Sequence, residues 1–141
     1  MSVTPYLFFD GNCAEAMRAY ERILGGKLEV MTYREGPEGS CPEAKLDSVM
    51  HACLTLPDGN HIFASDDMST VPYKGMNGFA VAIDYREACE VKRVFEALAG
   101  GGQIVMPLEK VFWTELFGVL VDRYGASWMV STEGTGADSS K

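Results

Sequence analysis

Basic residues are scarce in this chain of 141 residues: 12 Lys and Arg stand against 20 Asp and Glu, a formal charge of −8. A surface of that sign repels phosphate backbones and anionic lipid, so neither nucleic acid nor membrane is an expected partner. Long apolar runs are missing as well. No stretch approaches the roughly 20 residues that cross a bilayer, and Met1-Ser2-Val3-Thr4-Pro5 has neither the basic segment nor the apolar stretch of a signal peptide. A cytoplasmic location is the expectation. The cysteines, Cys13, Cys41, Cys53 and Cys89, contain no CxxC pair, which excludes a zinc knuckle and a thioredoxin-like redox motif. They read as reduced, mostly packed thiols. What the chain does have is apolar material: with 47% hydrophobic residues it can bury one substantial core, and one domain is expected over residues 1–133.

Thr4 to Phe9 is a short aromatic strand that ends at Asp10-Gly11-Asn12. Cys13, Met17, Tyr20 and Leu24 then recur at helical spacing, predicting an amphipathic helix over Asn12–Leu24. Asn12 with Glu15 has the form of a capping box, and Gly25-Gly26 ends the helix. Lys27 to Tyr33 alternates as a strand. Arg34 to Asp47, with Gly36, Pro37, Gly39 and Pro42, predicts a loop without regular structure. Ser48–Leu56 and Asn60–Ser65 form a hairpin across Pro57-Asp58-Gly59-Asn60. After a connection over Asp66–Asn77 the order recurs: a strand at Phe79–Ile83, a helix over Asp84–Ala99 carrying Val91, Val94, Phe95 and Leu98, a glycine stop at Gly100-Gly101-Gly102, and strands at Gln103–Met106, Val111–Val121 and Ser127–Thr132.

The two halves align residue on residue. Under one shift Phe8 falls on Ile83, Tyr20-Glu21 on Phe95-Glu96 and Gly25-Gly26 on Gly100-Gly101; under a second, Ile62-Phe63 falls on Trp128-Met129 and Ser65 on Ser131. The expected architecture is α+β, with two tandem βαβββ modules at about 1–68 and 76–133 and a flexible tail over 134–141.

Several phrases carry a resemblance: Leu7-Phe8-Phe9-Asp10-Gly11-Asn12-Cys13-Ala14-Glu15-Ala16-Met17, Tyr20-Glu21-Arg22-Ile23-Leu24-Gly25-Gly26, Met50-His51-Ala52, and Phe117 to Met129 around Asp122-Arg123-Tyr124-Gly125. Together they resemble the PhnB-like branch of the vicinal oxygen chelate superfamily, which includes glyoxalase I, extradiol dioxygenases and bleomycin-resistance proteins. The resemblance implies the glyoxalase/bleomycin resistance/dioxygenase fold, in which each module curls a mixed sheet around a pocket, and it implies a homodimer. It leaves the chemistry open, because this fold hosts lyases, oxygenases and binding proteins alike. Members of the branch carry methyltransferase labels, yet no glycine-rich cofactor loop of Rossmann type stands in the sequence.

Metal enzymes of the superfamily place His or Glu on the first and fourth strand of each module. The matching segments, Tyr6–Phe9, Ile62–Ser65, Phe79–Ile83 and Trp128–Ser131, contain neither. No bound metal and no cofactor is therefore the expectation, and a metal site would require His51 and His61 to converge with Asp66 or Glu115. His51, inside an apolar strand and by alternation on one face with Val49, Cys53 and Thr55, is either a satisfied rim residue or a hydrogen-bond donor or general base in a cavity. His61, beside a turn, reads as exposed. Glu115 shares a face with Trp113 and Phe117 and is either an ordinary edge residue or an acid-base group. Phe8, Phe63, Trp113 and Trp128 are the candidate ligand-facing rings, with His51 and Glu115 as candidate catalytic groups. The expected function is the binding of a small, partly apolar molecule in a sheet-lined cavity. A divalent-metal lyase or dioxygenase and a non-catalytic interaction module are the alternatives.

Overall fold

Alternation of side chains along each strand, with one amphipathic helix per sheet, decides the architecture. The computed structural model describes residues 1–39, 42–69 and 71–134, so Cys41 and the tail from Thr135 lie outside the described residues. The chain divides into two compact units, Met1–Met76 and from Asn77 onward. The first contains β1 (Tyr6–Phe9), α1 (Cys13–Leu24), β2 (Lys27–Thr32), β3 (Val49–Thr55) and β4 (His61–Asp66); the second contains β5 (Val81–Tyr85), α2 (Ala88–Ala99), β6 (Gln103–Val111), β7 (Thr114–Val121) and β8 (Ser127–Thr132). Each unit is one four-stranded mixed sheet, in the order β1-β4-β3-β2 and β5-β8-β7-β6. The outer β1 and β5 run parallel to β4 and β8, and the remaining pairs are antiparallel. The repeat read from the sequence is thus a repeat of topology.

In the first unit, α1 buries Cys13, Ala16, Met17, Tyr20 and Leu24. These side chains cover one face of the sheet, where Leu7, Phe9, Ala52, Leu54, Ile62 and Ala64 are buried. In the second unit Val91, Val94, Phe95 and Leu98 of α2 do the same over Leu120, Trp128 and Val130. Gly118 allows that contact, because a Cβ there would stand 2.6 Å from Cε1 of Phe95.

Several boundaries differ from expectation for identifiable reasons. Asn12 supplies no side-chain cap to α1; the first-turn amide of Cys13 donates instead to the Asp66 carboxylate, 2.9 Å away at the end of β4. No capping box forms. Asp84 lies inside β5, in register with Ser131, and α2 starts at Ala88 with Glu87 preceding it. The strand expected at Gln103–Met106 continues through Pro107 to Val111: β6 is an edge strand with several register irregularities, where a missing N–H is tolerated. Phe112 and Trp113 form a tight two-residue turn between the paired Val111 and Thr114, so Val111–Val121 is not one strand. The expected loop after β2 contains two short 3-10 turns, Tyr33–Glu35 and Glu43–Lys45.

One irregularity matters for the site. Met31 pairs with His51 but Thr32 pairs with Val49, so Met50 is an extra residue and the register slips. Such a bulge resets the period of two. Val49 is consequently buried, like Ala52 and Leu54, while His51, Cys53 and Thr55 remain half-buried on the other face. The expected grouping of Val49 with His51 fails at this point.

Candidate functional site

The face of the first sheet that α1 leaves uncovered collects the chemistry. β1 contributes Tyr6 and Phe8, which are 38% and 52% exposed. Tyr6 is in register with Phe63 of β4, and Phe63 is in register with Cys53 of β3, so these three stand on one row. The rings of Tyr6 and Phe8 lie 5.0 Å apart, and Phe63 meets Tyr6 edge-on at 6.2 Å. His51 sits among them, 5.1 Å from the Phe63 ring and 5.8 Å from that of Tyr6. Its Nδ1 lies 3.3 Å from the Tyr6 hydroxyl. When Tyr6 donates that bond, the imidazole keeps its proton on Nε2 and offers it as a donor. When His51 is protonated, Nδ1 donates to the Tyr6 oxygen instead. Three aromatic surfaces around an imidazole make a platform for a flat or apolar molecule carrying one polar atom.

On the same strands His61 opens β4 opposite Thr55, with its Nδ1 3.2 Å from Thr55 Oγ1 and 3.7 Å from Cys53 Sγ. It is exposed, as expected, but it belongs to the strand and its ring packs 6.0 Å from that of Phe63.

The structure thus brings together His51, Phe8 and Phe63 of the expected site residues. Trp128 is corrected: it is fully buried, and its Nε1–H donates to the Asp122 carboxylate at 2.9 Å. The period of two that put it on a strand could not say which face α2 would cover. Trp113, in the turn after β6, is 44% exposed and packs edge-on against Phe112 at 4.7 Å and Phe117 at 5.4 Å. Glu115 is exposed on β7. Both belong to the second unit. Sequence reasoning missed Tyr6, although its spacing of two from Phe8 was the available signal.

Two carboxylates are structural. Asp66 Oδ1 accepts the Cys13 amide and Oδ2 accepts that of Val49 at 2.8 Å. Asp122 Oδ1 accepts the amides of Tyr124 and Ala126 at 2.8 and 3.0 Å, while Oδ2 takes the Trp128 indole. Burial, with the nearby Asp66 charge, pushes the Cys13 thiol up to about 12 and removes it from chemistry at neutral pH.

A divalent ion of the superfamily kind needs several His or carboxylate groups converging on one point. Here both imidazoles pack against Phe63 with their Nδ1 atoms turned to different hydroxyls, and Asp66 is occupied by two backbone amides. Among the described residues, no three of His, Cys, Asp and Glu are grouped to hold a metal. The residues present do not fit such an ion.

Comparison with known proteins agrees with this fold. A family model described as 3-demethylubiquinone-9 3-methyltransferase matches residues 1–131. The chain is 32% identical to protein YjdN of Escherichia coli, over 93% of this chain and 95% of that one. The crystal structure of PA1353 from Pseudomonas aeruginosa superposes with a TM-score of 0.85 at 38% identity, covering 94% of this chain and 98% of the other. A PhnB protein from Bacillus cereus superposes with a TM-score of 0.76 at 27% identity, covering 94% and 99%. Solved members of the glyoxalase group share the fold alone, at 15% and 20% identity with TM-scores of 0.67 and 0.62.

Proposed function

Since the chain belongs to the family described as 3-demethylubiquinone-9 3-methyltransferase, the PhnB-like branch of the glyoxalase/bleomycin resistance/dioxygenase superfamily, we propose that it binds a small, partly apolar molecule on the open face of its first sheet, without a metal as intermediary. The observation that carries this reading is the grouping of Tyr6, Phe8 and Phe63 around His51. The rings supply dispersion and burial, while His51 Nε2–H supplies the directional contact. Where the bound molecule has an acidic or carbonyl group, His51 is the residue placed to exchange a proton with it. The methyltransferase name belongs to the family description; the topology is two four-stranded mixed sheets, with no doubly wound parallel sheet for a Rossmann cofactor loop among the described residues.

For the second unit the reading extends to Trp113 as a further ligand-facing ring, with Glu115 as the carboxylate on the strand that follows. A cytoplasmic homodimer is part of the proposal. The edge strand β6 exposes Ile104, Val105 and Met106, and unpaired edges of this kind are covered by association. Light scattering at micromolar concentration tests it, a dimer mass being the predicted result and a monomer mass the contrary one.

The binding proposal is tested by fluorescence titration with 2-naphthol, an aromatic probe with one hydroxyl. Phe63→Ala is expected to weaken it about tenfold, the order of one lost aromatic contact. Equal affinity in the two proteins contradicts the proposal.

A further inference from the structure

Beside the aromatic platform stands a group that the binding proposal does not use. Cys53 and His61 are diagonal neighbours across β3 and β4, Cys53 being in register with Phe63 and His61 with Thr55. Diagonal cross-strand neighbours on one face lie within side-chain reach. The result is a triangle: Cys53 Sγ to His61 Nδ1 at 3.7 Å, Cys53 Sγ to Thr55 Oγ1 at 3.8 Å, and Thr55 Oγ1 to His61 Nδ1 at 3.2 Å. Cys53 is half-buried, so its sulfur is reachable yet shielded on one side by the sheet. In contrast, the buried Cys13 has its amide bonded to Asp66 and its thiol held protonated.

We propose that Cys53 and His61 form a nucleophilic pair that adds covalently to α,β-unsaturated carbonyl compounds. The proposal rests on the binding reading in one respect, that the neighbouring Phe63 ring, 6.0 Å from His61, seats the apolar part of the electrophile. The atoms and electrons balance without any further reagent. The thiol proton passes to His61 Nδ1, and the imidazolium N–H so formed is accepted by Thr55 Oγ1. The thiolate attacks the β-carbon, an S–C bond forms, and the C=C π pair moves toward the carbonyl as an enolate. His61 Nδ1 then returns the proton to the α-carbon. The net change is addition of S–H across the double bond, with His61 acting as base and then as acid. Thr55 is a positioning residue, holding the imidazole so that Nδ1 rather than Nε2 faces the sulfur. The other ionisable groups on neighbouring positions are Lys27, in register with Thr55, and Glu29, in register with Cys53, both on β2, and His51 on β3.

Competition within one molecule tests this. The full chain is treated with methyl vinyl ketone at pH 7, and peptide mass spectrometry reads the rates at Cys53 and at the exposed Cys89. The expected result is that Cys53 reacts at least about tenfold faster than Cys89, and that His61→Gln lowers the Cys53 rate about tenfold while leaving Cys89 unchanged. Thr55→Val is a second variant, with the rate at Cys53 falling and the protein still folded by circular dichroism. Equal rates at Cys53 and Cys89, or an unchanged Cys53 rate in His61→Gln, overturn the proposal. The unmodified sequence separates the two readings: if it binds 2-naphthol, with that binding weakened in Phe63→Ala, but Cys53 is not selectively modified, the covalent proposal fails and the binding proposal stands.

Discussion

The backbone amide of Cys13 donates to Asp66 Oδ1 at 2.9 Å, joining the first turn of α1 to the last residue of β4. The second oxygen of the same carboxylate takes the Val49 amide at the start of β3, next to the bulge that turns His51 outward. One buried side chain thus ties three elements together, beside the bulge at Met50.

Asp66→Ala removes the acceptor of two backbone donors in a buried setting, and a lost acceptor of this kind costs about 1 to 3 kcal/mol per stranded group. Urea unfolding is expected to show a loss of about 2 to 5 kcal/mol for Asp66→Ala, with a smaller loss for Asp66→Asn, which keeps one oxygen. Unchanged midpoints in both variants contradict the assigned role.

Cys13 gives a pH dependence. Its thiol is raised from 9.0 to about 12, first by burial and then by the Asp66 charge. A group whose folded pKa lies above its unfolded value contributes stability that is present below the unfolded pKa and lost as pH rises toward the folded one. The urea midpoint is therefore expected to fall between about pH 9 and 12. Tyr73, raised by burial and by Asp10 and Asp67, adds to the decline with the same sign. Cys13→Ala in a Tyr73→Phe background is expected to flatten it; a decline equally steep in the double variant refutes the assignment.

Glycine at the start of β2 is required by the backbone of β3. A Cβ on Gly26, where φ is +98, would stand 2.1 Å from the Thr55 carbonyl oxygen, and one on Gly102 would stand 2.2 Å from that of Val121. Gly26→Ala and Gly102→Ala are expected to cost about 3 kcal/mol or more, through clash and displaced strand pairing. Gly59→Ala, with φ at +97 but open space around it, is expected to cost only about 1 to 2 kcal/mol. Thermal melts rank the three; an equal effect in all of them contradicts the steric argument.

Helix faces, glycine stops and the repeated order of elements were legible in the sequence because each rests on local periodicity. Cys13, Met17, Tyr20 and Leu24, and likewise Val91, Val94, Phe95 and Leu98, are buried as their spacing predicts. What was not legible depends on residues distant in the chain. No local signal says that Asp66 rather than Asn12 satisfies the start of α1, or that Met50 is an extra residue that separates Val49 from His51. The Phe112-Trp113 turn has none of the usual turn residues and takes no positive φ, so composition gave no warning of it. Around the candidate site, alternation gave His51 a face in common with Cys53 and Thr55 but wrongly added Val49, while Trp128 was misplaced because aromatic residues serve core and pocket equally well.

The most direct measurement is a two-dimensional 1H–15N NMR titration of the full chain with 2-naphthol, repeated on Phe63→Ala and His51→Gln. The account predicts shifts concentrated on Tyr6, Phe8, His51 and Phe63, with binding weakened about tenfold in Phe63→Ala and the hydroxyl-dependent part of the affinity lost in His51→Gln. Saturable shifts that leave these four residues unperturbed, or that persist undiminished in Phe63→Ala, contradict it.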